Sequence, residues 1–235
     1  MIAVSDTVRE QTHRYLGVSS AKTRTIQHGI DPEPFACITS AQTNQLRTEW
    51  GAGKDTVVIG TVGRLVPQKA LHILLEAFAH YRVVAKRPSR LIVVGCGPLE
   101  AELKARSLEL GIADAVVWPG FREDIPAIIS SFDVFALSSH YEGFGIVLLE
   151  AMAAGKPVAV TNVSAIPEIV QDGVTGLLSR GGDSCAFSAA LLQLEDKALR
   201  ERLGMAGRKR VHEFTLGRMI DATLAAYAEA INGAR

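Results

Sequence analysis

The chain holds 235 residues, 48% hydrophobic and 21% charged, with a formal net charge of zero. That composition fits a well-packed globule and argues against a disordered chain, and the balanced charge argues against a dedicated nucleic-acid binder. Cys37, Cys96 and Cys185 show no paired spacing, so neither a disulfide framework nor a zinc centre is expected. No apolar run reaches membrane-spanning length and the N-terminus lacks a signal-peptide pattern, which points to a cytoplasmic chain, with peripheral membrane attachment left open.

In chain order, SDTVREQTHRYLG (5–17) reads as a short helix capped by Ser5 or Asp6 and ended by Gly17. TRTIQ (23–27) reads as a strand, and HGIDPEPF (28–35) as a linker, rich in turn residues. From about residue 55 an alternation sets in. TVVIGTV, LIVVG, AVVWPG, VFALSS, PVAV and TGLLS read as strands. Between them lie helices at 70–85, 98–111, 124–132 and 146–155 and a short one at 167–171; helices fill the remainder. Strands that are apolar throughout and alternate with helices predict an α/β fold, a doubly wound parallel (Rossmann-like) sheet covered on both faces. Ligands of such sheets bind at the carboxyl ends of the strands. The loops that matter are therefore 63–69, 95–98, 118–122, 138–145 and 161–167.

The loop at 138–145 carries Gly143 and Gly145, which let backbone approach a ligand, and leads into a helix whose free N–H groups favour phosphate or carboxylate oxygens. Glu150 lies about one turn into that helix, amid Ile, Val, Leu, Met and Ala, and leans back toward its start. An unpaired carboxylate there costs roughly several kcal/mol. Either ribose hydroxyls satisfy it, or a buried Arg or an orphan backbone N–H does. Glu142 stands eight residues earlier, across the Gly-Phe-Gly turn. In GRLVPQK, Gly63 gives a tight exit from a strand, and Arg64 and Lys69 set two cations at its end. Arg matches phosphate oxygens with a planar fork and Lys acts as a compact charge, so beside a second anion-favouring loop the pair suits a diphosphate better than it suits plain solvation. Gly95-Cys96-Gly97-Pro98 lacks the third glycine of a dinucleotide fingerprint, which disfavours a nicotinamide-dependent oxidoreductase and leaves tight-turn geometry. Trp118 either offers a platform for a base or packs as core. No histidine has metal-ligand spacing, and no serine sits in a nucleophile elbow.

Taken together, these residues resemble family 4 of the retaining glycosyltransferases, also called group 1 glycosyl transferases. The likeness runs from IAVSDTVRE to the C-terminal helix. Its most specific element is the E-x7-E pattern, Glu142 to Glu150 in EGFGIVLLE, followed in support by GRLVPQK, VVGCGPLE, PGFREDIP, DVFALSS and GKPVAVT. The resemblance implies that Arg64 and Lys69 bind the diphosphate of a nucleotide sugar, helped by backbone N–H groups around Phe144, Gly145 and Ile146. It implies that Glu150 holds the ribose and that Glu142 faces the donor sugar. It also implies a metal-free, cofactor-free reaction with front-face attack, the leaving phosphate taking the acceptor's proton.

The sequence departs from the family in three places. Ala70 stands where glycine often follows the diphosphate lysine, Ser164-Ala165-Ile166-Pro167-Glu168 replaces a loop that commonly reads GG-x-PE, and the length suits only the second half of the two-domain GT-B architecture. The resemblance thus divides the chain into a remnant of a first domain and linker (1–30), a nucleotide-sugar-binding domain (31–213) and a crossover helix (214–235). The expected partners are a nucleotide sugar, a glycan or lipid acceptor and the missing first domain, in cis or in trans. Without that domain, self-association or local repacking is expected at Leu16, Leu224 and Tyr227. Two other readings stand beside the transferase: a non-catalytic nucleotide-sugar-binding module acting with a partner chain, and a nucleotide-sugar epimerase of the same two-domain fold.

Overall fold

A computed structural model describes residues 1–232; the last three residues of the expected crossover segment lie outside it. The N-terminal segment pairs β1 (Ile2–Ala3) with β2 (Arg24–Thr25) in parallel and carries α1 (Asp6–Leu16) between them. Ser5 caps α1 by accepting from the Val8 N–H, and Gly17 closes it in the left-handed conformation. The stretch read as a linker contains one helical turn, α2 (Glu33–Ala36). It is followed by a helix the periodicity did not reveal, α3 (Ser40–Glu49). Only Leu46 of α3 is buried, so it has almost no apolar stripe, but Thr39 and Gln42 form a complete capping box at its start.

The alternation then unfolds as expected: β3 (Val57–Val62), α4 (Leu71–Val84), β4 (Ser89–Val94), α5 (Glu100–Glu109), β5 (Val116–Gly120), α6 (Ile125–Ser131) and β6 (Val134–Leu137). After these come α7 (Ile146–Ala153), β7 (Val158–Thr161), α8 (Ile166–Ile169), β8 (Gly176–Ser179), α9 (Ser184–Gln193), α10 (Lys197–Arg210) and α11 (Leu216–Asn232). Asp124 precedes α6 as expected but makes no capping bond; both its carboxylate oxygens accept from Arg122.

The six strands β3 to β8 form one parallel sheet in the order β5-β4-β3-β6-β7-β8. Side chains alternate between its faces, as a two-residue period requires. Val58, Ile92, Phe135, Leu137, Val158 and Val160 join the apolar layer under α3, α6 and α7. Val57, Ile59, Leu91, Val93, Val134 and Ala159 join the layer under α4, α5 and α9. Both faces are therefore dry and the fold is doubly wound. The chain starts at β3, winds outward to β5, and restarts at β6 on the other side of β3. The helices that follow β3 and β6 lie on opposite faces of the sheet, and such a reversal point is where sheets of this kind bind ligands.

No residue of α1 or α11 is buried. Leu216, Ile220, Leu224, Tyr227 and Ile231 recur at helical spacing on α11 and are all exposed. No helix among the described residues is long and apolar enough to cross a membrane.

Candidate functional site

The loops leaving β3 and β6 are stitched together. Ser138 Oγ donates to the carbonyls of Lys69 (3.0 Å) and Ala70 (3.1 Å). The His140 N–H donates to the Gln68 carbonyl and Gln68 Nε2 to the Tyr141 carbonyl. Lys69 Nζ lies 2.6 Å from Glu142 Oε1. Glu142 is only 5% exposed, and its Oε1 also accepts from Ser139 Oγ at 2.5 Å. Ser139 is held in turn by Thr161, whose Oγ1 donates to the Ser139 carbonyl. One carboxylate oxygen of Glu142 thus holds both a cation and a hydroxyl, and the other accepts no hydrogen bond among the described residues.

The loop 95–98 braces this site from the outer side. The Leu65 N–H donates to the Cys96 carbonyl and the Leu99 N–H to the Leu65 carbonyl. A Cβ on Gly95 would lie 1.9 Å from the Gly63 carbonyl oxygen, and one on Gly97 2.4 Å from that of Leu65. Tight-turn geometry is thus only part of the explanation for the two glycines. Any side chain there would push away the backbone that carries Arg64.

Next to these loops α7 begins. Gly145 is its N-cap at φ 96°, a conformation that favours glycine, and no side chain caps it. The Ile146 and Val147 N–H groups therefore have no partner among the described residues, with the positive end of the helix dipole behind them, while the Leu148 N–H donates to the Gly145 carbonyl. Gly63, Arg64, Lys69, Glu142, Phe144, Gly145, Ile146 and Glu150 all line one cleft of about 550 Å³. Arg64 is exposed, and its guanidinium has no partner among the described residues. The Glu150 carboxylate likewise has none, and burial pushes its pKa up. Neither the buried Arg nor the orphan N–H weighed for it is found. A half-buried carboxylate left without a donor is suited to one brought by a ligand.

Trp118 is not among the residues that line the cleft. It packs, partly buried, against the layer under α4 and α5, as the core reading has it. Sequence reasoning missed Ser139, Gln68, Val4 and His28. The last two reach the cleft from the N-terminal segment, and no local pattern signals that approach.

The sequence matches the family of glycosyl transferases group 1 over residues 42–210. The chain belongs to this family. It is 35% identical over 215 residues to a D-inositol 3-phosphate glycosyltransferase of Stackebrandtia nassauensis, covering 86% of this chain and 48% of that protein. It is 30% identical over 212 residues to an N-acetyl-alpha-D-glucosaminyl L-malate synthase of Bacillus anthracis, covering 90% and 54%. In structure it is similar to Anabaena HepE in complex with UDP and glucose, with a TM-score of 0.87, 27% identity, and coverage of 96% of this chain and 62% of that one. The chain thus spans about half the length of the curated relatives it matches. Its sheet is the Rossmann-like half of a GT-B fold.

Proposed function

We propose that this chain is the donor-binding half of a retaining glycosyltransferase, which moves a sugar from a nucleoside diphosphate sugar to a glycan, lipid or small-molecule acceptor. One observation carries the reading. Two cations from the loop after β3 meet an uncapped helix N-terminus, the buried Glu142 and the half-buried Glu150 from the segment 142–150 in a single cleft at the sheet's reversal point. The solved complexes of HepE with UDP and with UDP-glucose support a nucleotide sugar as the ligand class.

In this reading Arg64 and the first N–H groups of α7 hold the diphosphate, joined by Lys69 when it turns from Glu142. Glu150 accepts hydrogen bonds from the ribose hydroxyls. Glu142 uses its free oxygen to hold a sugar hydroxyl and steadies positive charge at the anomeric carbon. The bond from that carbon to the leaving phosphate oxygen breaks as the acceptor oxygen bonds on the same face. The acceptor's proton passes to the leaving phosphate. Arg64 and Lys69 neutralise that phosphate, so the reaction needs no metal and donor binding is unaffected by a chelator.

Residues 1–30 and the helix from 214 on belong, in this proposal, to the contact with a first domain that supplies the acceptor. The exposed apolar face of α11 supports this. Positioning the acceptor is worth about 7–11 kcal/mol of barrier, so the chain alone is expected to bind donor with at most trace transfer. Calorimetry with UDP, GDP, ADP and their sugars, followed by a transfer assay with and without the first domain, tests the reading. Absence of binding to every nucleotide, or robust transfer by the monomeric chain alone, would refute it.

A further inference from the structure

We infer that His28 is a donor-contacting residue, its imidazole N–H donating to the diphosphate of a nucleotide held at the start of α7. The inference rests on the donor-site reading above and adds to it a residue from outside the sheet.

His28 lies between β2 and α2 and reaches the cleft from the N-terminal segment. Its ring meets Phe144 edge-on, with centroids 5.6 Å apart and planes at 69°. Phe144 packs in the same manner against Phe214, at 6.0 Å and 64°. Two residues beyond His28, the Ile30 N–H donates to the Phe214 carbonyl and the Leu216 N–H to that of Ile30, both at 3.0 Å. The histidine is therefore fixed from two sides. Phe144 gives it a ring to lean on, and the segment before α11 pins its backbone.

What the imidazole does there is unaccounted for by the fold. Among the described residues neither ring nitrogen has a hydrogen-bond partner, although the side chain is half-buried. Carboxylates are at hand. His28 also borders a groove of about 330 Å³ that carries Asp6, Glu213 and Arg218, and it is bonded to neither acid. On the cleft side the charged neighbours are Arg64, Lys69, Glu142 and Glu150. The ring leans on Phe144, which immediately precedes the N-cap of α7. That places the imidazole beside the anion-favouring end of the cleft. A neutral imidazole always has one N–H to give, so the contact requires no change of charge.

The test is calorimetry on the full chain with whichever of UDP, GDP and ADP binds most tightly, using His28→Phe, His28→Gln and Arg64→Ala. Phenylalanine keeps the ring contact with Phe144 and loses the donor. Glutamine keeps a donor and loses the ring. His28→Phe is expected to weaken binding about tenfold or more, with His28→Gln staying within about threefold of the parent. The reverse order would make His28 a packing residue and overturn the inference. So would equal loss in both variants, or no loss in either, when Arg64→Ala weakens binding. If Arg64→Ala also leaves affinity unchanged, the donor-site reading fails with it. Thermal unfolding of each variant confirms that the fold is intact.

Discussion

Lys69 and Glu142, 73 residues apart, form an ion pair that closes the two loops on either side of the sheet's reversal point. Their side chains are 17% and 7% exposed. Truncating one partner of a buried pair strands the other charge. Lys69→Ala is therefore expected to cost about 3 kcal/mol of stability, at the low end of such losses because Ser139 still serves Glu142. In the proposed site it also weakens nucleoside diphosphate binding by about 1.5–3 kcal/mol. Glu142→Gln keeps the Ser139 bond and frees Lys69, so the bare nucleotide should bind no more weakly than to the parent. Denaturant unfolding and calorimetry read the two effects separately. Weaker nucleotide binding in Glu142→Gln would contradict the division between the two residues.

Glu150 sets stability against binding. Burial raises its folded pKa above the ordinary carboxylate value. A raised pKa means the native state holds the proton more tightly than the unfolded chain does. The stabilisation it contributes is full below the unfolded pKa and is lost as pH rises through the folded one. Above that window the charged form is a liability unless a ligand donates to it. Glu150→Gln should raise stability at pH 8 by roughly 1 kcal/mol and much less at pH 4, while weakening nucleotide binding. Melting curves at the two pH values decide it; an equal shift at both would rule out ionisation as the cause.

Among the described residues two that are not glycine have left-handed backbone, Ala70 at φ 46° and Ser164 at φ 47°, and both occupy positions where the resemblance leads one to expect glycine. That conformation costs about 1–2 kcal/mol, against roughly 0.5–1 kcal/mol for the unfolded-state freedom of a glycine. Ser164→Gly should stabilise by about 0.5–1 kcal/mol, because Ser164 is only half-buried and its hydroxyl makes no bond among the described residues. Ala70 is 1% exposed, and losing its buried methyl forfeits about 0.8 kcal/mol more. Ala70→Gly should thus be near neutral. Chemical denaturation of both variants checks the contrast, and a larger gain at position 70 would reverse the argument.

Glu168 ties the N-terminal segment to the sheet. Its carboxylate accepts from the Asp6 N–H (3.0 Å), the Thr7 N–H (2.9 Å), Thr7 Oγ1 (2.8 Å) and Gln27 Nε2 (3.3 Å). It serves free donors at the positive end of α1, where an anion is favoured. Glu168→Ala should speed amide exchange at Asp6 and Thr7 by about tenfold or more while leaving β3 and β4 protected. Unchanged exchange at those two amides would show that α1 is held by other contacts.

The parallel α/β sheet was legible in the sequence because strands buried on both faces must be apolar throughout, and their alternation with helices marks parallel strands joined by helical crossovers. Glu142 and Glu150 were legible because a carboxylate in an apolar stretch is costly enough to need a reason. Helix α3 was not, since a helix that buries one side chain has no period to read. The strand order, with β3 beside β6, was equally silent, and it alone brings Arg64 and Lys69 to the two glutamates. Local sequence accounts for Gly95 and Gly97 only as turn residues; the backbone of Gly63 and Leu65 packed against them is a contact of the tertiary structure. Nothing local to Glu168 shows that it caps a helix 162 residues away. Local periodicity records what each residue must bury. It holds no record of which strand end, loop or helix start comes to lie alongside, because those contacts join stretches of chain related only through the packing of the whole sheet.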